Sequence, residues 1–348
     1  MRWDLFCRVI DNHGDVGVCW RLARDLAARG EAVRLWLDDA SALRWMAPEG
    51  AAGVELVAWH APAPALAPQD VVVEAFGCDP PDAFVSAMAA RDKPPVWVNL
   101  EYLSAEAYVE RSHGLASPQL HGAGLGLNKW FFYPGFTPNT GGLLREVDLM
   151  ARQLAFDRDR WLATQGIERR PGERVVSVFC YPGAPLRELV QALADAPTLL
   201  LLTPRAAQEG LRGQALPHAL RSVELPWLTQ TDYDHLLWST DLNIVRGEDS
   251  LVRAAWSGAP FIWHLYPQHD AAHGAKLEAF ATSFGASRVP GLAELWRIWN
   301  GLQRGAITLP AVPAWQAATQ AWRAQLWRQP DLTYQLLAFV RRLRDARC

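Results

Sequence analysis

Cysteine is scarce in this chain and poorly placed for structural work. The five residues Cys7, Cys19, Cys78, Cys180 and Cys348 are odd in number and show no C-x-x-C spacing. That speaks against a disulfide framework and a zinc ligand set, and it points to the cytoplasm. An excess of one charge is missing too. Lys and Arg total 34 against 37 Asp and Glu, a formal net charge of −3, so no broad basic field is available for nucleic acid. No apolar run approaches the ~20 residues of a membrane span. The opening MRWDLFCRVIDNHGD carries charge inside its apolar run and lacks a small-residue cleavage site, unlike a secretory signal. Neither G-x-x-x-x-G-K-[ST] nor G-x-S-x-G occurs, and there is no low-complexity tract and no repeat of roughly 20–50 residues.

What is present is an ordinary globular composition, half hydrophobic and 20% charged, spread over 348 residues. That length predicts about two domains. The first apolar run, residues 3–10, reads as a strand, and Val18, Cys19, Leu22 and Leu26 recur at helical spacing before Gly30 stops the helix. AVRLWL (32–37) closes a βαβ unit. VELVAW (54–59), VVVEAF (71–76), PVWVNL (95–100) and KWFFY (129–133) add strands to a doubly wound sheet. A helical stretch is expected over about 142–165, followed by the polar connector GIERRPGER (166–174). Beyond it RVVSVFCY, TLLLLTP, DLNIV and PFIWHLY alternate with helical patterns as a second α/β domain. The expected domains are 1–165, joined by a terminal helix over about 331–348 that folds back onto it, and 174–328. Two such sheets joined by one connector would face a cleft at the carboxyl ends of their strands, where open α/β sheets bind ligands.

Four loops carry chemistry-bearing residues. Asp11-Asn12-His13-Gly14-Asp15-Val16-Gly17 joins the first strand to the first helix, with Gly14 and Gly17 allowing tight backbone geometry. Its acids would repel a phosphate at a helix start and suit a cationic guest or a proton to be moved; Asp15 either caps the helix or is a poised base. Arg246-Gly247-Glu248-Asp249-Ser250 lies between DLNIV and a helix. An arginine, a hydroxyl and free N–H groups there make a diphosphate cradle, with Glu248 and Asp249 able to accept from ribose or sugar hydroxyls. Phe179-Cys180-Tyr181, with Trp227 and Tyr233 farther on, offers faces for a nucleobase, or equally core packing. Tyr266-Pro267-Gln268-His269-Asp270 precedes His273 and Lys276, but the His269/His273 spacing lacks a third ligand and carries no metal expectation. Gly122, Gly124 and Gly126 mimic a dinucleotide fingerprint in the wrong place, outside the first βα turn.

Taken together, DNHGDVGVCWRLARDL, VNLEYLSAE, KWFFYPGF, FCYP, DLNIVRGEDSLVRAAWSGAPFIWHLYPQ and HGAKLEAF resemble the EarP family, bacterial protein-arginine rhamnosyltransferases acting on translation elongation factor P. The resemblance covers nearly the whole chain. It implies a GT-B architecture of two Rossmann-like domains and inverting transfer of L-rhamnose from dTDP-β-L-rhamnose, without cofactor or metal. The modification would activate the factor for rescue of stalled ribosomes, and nucleic acid and membrane would not be partners. By position it implies Phe179, Trp227 and Tyr233 around the thymine, and Tyr181, Arg246, Asp249 and Ser250 at the diphosphate and ribose. Glu248 would lie near the sugar or ribose, and Gln268 would join the donor site. Asp11 and Asp15 would face the acceptor, with Asp15 as base. His13 stands where tyrosine is common in the family and His264 where glutamine is common. The alternative reading is a GT-B nucleotide-sugar transferase or epimerase with a small-molecule acceptor; a noncatalytic nucleotide- or factor-binding protein is a third. Asn99-Leu100-Glu101-Tyr102 is a candidate acceptor contact by position, or an ordinary strand end.

Overall fold

The computed structural model describes residues 1–10, 13–59, 65–267 and 272–346. The chain forms two compact units, Met1–Glu146 with Gln329–Cys348, and Val147–Arg328.

Unit 1 begins β1 (Arg2–Cys7), α1 (Gly14–Ala28), β2 (Ala32–Leu37), α2 (Leu43–Met46), β3 (Val54–Ala58), β4 (Val71–Ala75) and α3 (Asp82–Ala89). It continues with β5 (Val96–Leu100), α4 (Tyr108–Ser112), β6 (Ala116–Pro118) and β7 (Asn128–Phe132). The strands form one sheet in the order β3-β2-β1-β4-β5-β7-β6, parallel throughout except for β6 against β7. Near-continuous apolar strands such as VVVEA, broken only by Glu74, follow from burial on both faces. The buried charges within them are paired: Asp4 takes two bonds from Arg34 at 2.7 and 2.9 Å and one from the Trp36 indole at 2.9 Å. Glu74 meets Lys129 at 2.6 Å. Helix α1 stops where its spacing predicts. Gly30 sits at φ +86°, its N–H bonds Ala27 O at 3.0 Å, and Glu31 N–H bonds Leu26 O at 3.1 Å. That is a left-handed glycine closing the last carbonyls.

Unit 2 comprises α5 (Leu149–Leu154), α6 (Arg158–Thr164), β8 (Arg174–Val178), α7 (Leu186–Ala192), β9 (Thr198–Leu202), α8 (Ala206–Leu211) and β10 (Leu220–Glu224). It then adds α9 (Gln230–Trp238), β11 (Leu242–Arg246), α10 (Gly247–Ser257), β12 (Phe261–His264), α11 (Ala272–Phe284), α12 (Leu292–Trp299) and α13 (Val312–Trp327). Its five strands are parallel in the order β10-β9-β8-β11-β12. The chain then returns to unit 1 as α14 (Leu332–Asp345). Leu332, Leu336, Leu337, Phe339, Val340 and Leu343 join the same core as Leu22 and Leu26 of α1. The terminal helix therefore packs on the first sheet's domain.

The single helical stretch expected over 142–165 is replaced by an extended segment and two short helices. Leu332 N–H bonds Leu143 O at 2.9 Å, and Arg145 Nη2 donates to Gln329 O at 3.1 Å, so residues 142–146 are held by the chain leading into α14. Asp157 then caps α6 by accepting the Arg160 N–H at 3.0 Å, which separates it from α5. No helix among the described residues is long and apolar enough to cross a membrane.

Candidate active site

In each sheet the strand order reverses beside the first strand of the unit, next to β1 in unit 1 and next to β8 in unit 2. Loops at such a reversal are where open α/β sheets bind ligands.

In unit 1 the loop after β1 carries Asp15, which is 3% exposed. It occupies the second position of α1, whose capping residue is His13, and His13 makes no side-chain capping bond. The Asp15 carboxylate instead accepts the Ile10 N–H at 2.8 Å, drawing the incoming loop across the helix mouth. A carboxylate there is favoured by the positive end of the helix. Asp38, unflagged by the sequence, braces the same loop by accepting the Val9 N–H at 2.9 Å. The His13 ring stands edge-on to Trp45, centroids 5.2 Å apart. Gly14 and Gly17 lie inside α1, as its first and fourth residues, rather than in the loop. Asp11 lies outside the described residues. Beyond β4 and β5 the Phe76 and Tyr102 rings stack at 4.4 Å, with Phe76 at φ +59°. Asn99, at the end of β5, donates to Glu101 at 2.8 Å.

In unit 2 the loops after β8 and β11 meet. Arg246 ends β11 in extended conformation, and Gly247 at φ +66° turns the chain into α10. The Arg246 guanidinium carbon lies 4.4 Å from the Phe179 ring centroid and 4.6 Å from that of Tyr181, and Nη1 donates to Cys180 O at 3.3 Å. Two aromatic contacts and a carbonyl thus fix the planar cation at the helix start. The Ser250 hydroxyl donates to the Arg246 carbonyl, closing the first turn of α10. Tyr181 is held by its own N–H, which donates to His264 Nδ1 at 3.2 Å. His264 is buried; burial first, then the charges of Arg246 and His273, push its pKa down to about 4. Tyr233 packs edge-on to Phe179 at 5.6 Å, and burial pushes its phenol up. Burial likewise pushes the Cys180 thiol up to about 12. Glu248 receives Lys276 at 2.5 Å. Trp227 is 38% exposed, and the Arg205 guanidinium lies 5.5 Å from its ring centroid. Gln268 and His269 lie outside the described residues. No grouping of three or more His, Cys, Asp and Glu suited to a metal ion occurs among the described residues.

The structure therefore brings Phe179, Tyr181, Tyr233, Arg246 and Ser250 into one cluster. Residue types beside the strand ends flagged Phe179, Tyr181, Arg246 and Ser250, and Tyr233, inside α9, was flagged only as an aromatic farther along the chain. His264 as the Tyr181 acceptor and Lys276 as the Glu248 partner went unread, because each acts across the fold on a residue distant in sequence. A guanidinium at a helix N-terminus suits a dianionic leaving group, and a buried carboxylate at the other helix start suits a cationic acceptor.

Comparison with known proteins gives a consistent result. Residues 3–341 match the family described as Elongation-Factor P (EF-P) rhamnosyltransferase EarP. The protein-arginine rhamnosyltransferase of Pseudomonas putida is 44% identical, with 97% of this chain and 98% of that one covered. That of Pseudomonas aeruginosa is 41% identical, with 97% and 98% covered. A solved structure described as the structural basis for EarP-mediated arginine glycosylation of translation elongation factor EF-P aligns with a TM-score of 0.64 at 30% identity, covering 98% of this chain and 99% of that one. The spinosyn rhamnosyltransferase SpnG aligns at 15% identity and a TM-score of 0.57, over 97% of this chain and 99% of its own, a likeness of fold.

Proposed function

Since the chain belongs to the EarP family of EF-P rhamnosyltransferases, with the GT-B fold of its relatives, we propose that its two βα loops divide the reaction between them. The activity is that of a protein-arginine rhamnosyltransferase glycosylating EF-P. Unit 2 holds the donor, dTDP-β-L-rhamnose, and unit 1 receives the acceptor arginine. The reading also places the protein in the cytoplasm, where a translation factor works.

The observation that carries the donor assignment is Arg246, set between Phe179 and Tyr181 at the start of α10. When the bond between the anomeric carbon and the diphosphate oxygen breaks, the departing dTDP keeps the electron pair and gains negative charge. Arg246 and the N–H groups of α10 stabilise that charge without reorganising, because packing already fixes them. Phe179 and Tyr233 supply aromatic surface for the thymine, with Trp227 alongside. Ser250 and Asp249 serve the diphosphate and ribose, and Glu248 accepts from hydroxyls of the sugar or ribose.

The acceptor guanidinium is cationic with a pKa above ~12, so it cannot be deprotonated in advance. Asp15 pairs with it, turns one nitrogen toward the anomeric carbon and takes its proton as the C–N bond forms. Asp11 shares the acceptor side of the site. Attack on the face opposite the leaving group inverts the anomeric centre.

The test is intact-mass analysis of purified EF-P incubated with this protein and dTDP-β-L-rhamnose. One deoxyhexose increment on an arginine is expected. The Asp15→Asn variant is expected to lose activity by about 10²-fold or more while still binding donor. Wild-type turnover in that variant would remove Asp15 from the reaction.

A further inference from the structure

The donor loop carries an ion pair that phosphate binding alone does not require. Glu248, second residue of α10, receives the Lys276 ammonium on Oε1 at 2.5 Å, with the side chains 17% and 24% exposed respectively. An exposed pair of this kind is weak and mobile. This one is half-buried and mounted on a braced frame. Lys276 projects from α11, whose Phe280 and Phe284 pack on Trp296 at 5.3 and 5.2 Å, and whose Gly274 is close enough to Leu302 that an added Cβ would touch it at 3.4 Å. The same helix is tied to the start of α10 through Trp263, which meets Phe280 edge-on at 4.9 Å and donates its indole N–H to Gly247 O at 2.8 Å. The backbone immediately before Glu248 and the helix bearing Lys276 are therefore in register, and the ion pair lies next to that brace.

The chemistry of the loop shows what the pair does. A free carboxylate two residues from Arg246 has an obvious wrong partner, the guanidinium itself. An arginine captured by Glu248 would be withdrawn from the diphosphate, and the carboxylate from the sugar. A lysine on a second helix settles the competition: it pairs with Glu248 at Oε1 and so keeps that carboxylate off Arg246, which stays between its aromatic rings.

We propose that Lys276 is the positioning residue of the donor loop, holding the Glu248 carboxylate in the one orientation that accepts hydroxyl hydrogen bonds from the nucleotide sugar. This rests on the reading of Glu248 as a donor contact. It assigns a role to a residue outside the β11–α10 loop, and it makes α11 part of the donor-recognition apparatus.

The experiment compares wild type, Lys276→Ala, Lys276→Arg, Glu248→Gln and the double variant Lys276→Ala/Glu248→Gln, with kcat and donor KM from rhamnosylation of EF-P and a thermal melt of each. Lys276→Ala is expected to lower kcat/KM for the donor roughly tenfold to a hundredfold, the range of one charge-assisted hydrogen bond, at a melting temperature near wild type. Lys276→Arg restores most of the loss. In the Glu248→Gln background the lysine substitution adds nothing, because its action passes through that carboxylate. A purely structural lysine would not show that coupling. Wild-type kinetics in Lys276→Ala, or the same loss from it in both backgrounds, overturns the proposal while leaving Glu248 at the donor. Unaltered kinetics in Glu248→Gln overturns the donor-contact reading, and the proposal with it.

Discussion

Acidification from pH 8 to pH 5 is expected to cost unit 2 about 2 kcal/mol through a single histidine. His264 ends β12 at 5% exposure, accepts the Tyr181 N–H on Nδ1 at 3.2 Å, and packs edge-on against Tyr181 at 5.3 Å and Trp299 at 6.0 Å. Its burial, with Arg246 and His273 nearby, sets its folded-state pKa at about 4. An unfolded chain protonates histidine near ~6.5. Between those values the unfolded state binds the extra proton and the folded state does not. The stability contribution is therefore whole above about pH 6.5, falls as pH drops through that value, and is lost below about pH 4. The full interval corresponds to about 3 kcal/mol at 1.36 kcal/mol per unit, of which about 2 is spent by pH 5. For a unit of this size that is roughly 4–8 °C in melting temperature. The perturbation is His264→Gln, whose amide oxygen can accept the same N–H and does not titrate. Thermal unfolding of both proteins at pH 8, 6.5 and 5 is the assay. Carboxylates titrate equally in both, so the difference between the two curves isolates His264. The variant is expected to gain on wild type by about 2 kcal/mol as pH falls to 5. Parallel curves would refute the reasoning, since they would mean that the imidazole accepts its proton in place.

Arg246→Lys keeps the charge but loses the planar cation that fits between Phe179 and Tyr181. The donor KM is expected to rise roughly tenfold, and calorimetric titration with dTDP checks it; unchanged affinity would take the stacked geometry out of donor binding. Arg253→Met leaves Asp234 buried without the bidentate partner that now holds it at 2.8 and 2.7 Å. A loss of about 3 kcal/mol is expected, the low end for a broken buried pair because Arg152 Nη1 remains 3.8 Å from Asp234; urea unfolding measures it, and a loss below about 1 kcal/mol would show that Arg152 takes over the charge.

Much of the fold was legible because parallel strands buried on both faces are written as nearly unbroken apolar runs. VVVEA and TLLLL could hardly be anything else in a chain that alternates them with amphipathic helices. The failure at 142–165 has an equally local cause: residues 142–146 are held by residues 329–332, a pairing that no window of sequence contains. The site divides the same way. Arg246, Phe179 and Tyr181 could be named from their places at strand ends. Spacing left Asp15 open between capping and chemistry, and only the Ile10 N–H on its carboxylate shows where the side chain points. His264 and Lys276 could not be assigned their partners, Tyr181 and Glu248, because those contacts exist only once β8, β11, β12 and α11 are assembled.

The return of α14 to the first sheet imposes an order on biogenesis. Six apolar side chains of that helix complete the core of unit 1, yet they leave the ribosome only after every residue of unit 2 has been made. At about 5–20 residues per second, the amino-terminal sheet waits roughly 10–40 seconds with the ground against which α14 packs exposed, while the later-made unit has all of its own core in hand. The domain encoded first is therefore the last to receive all of its core.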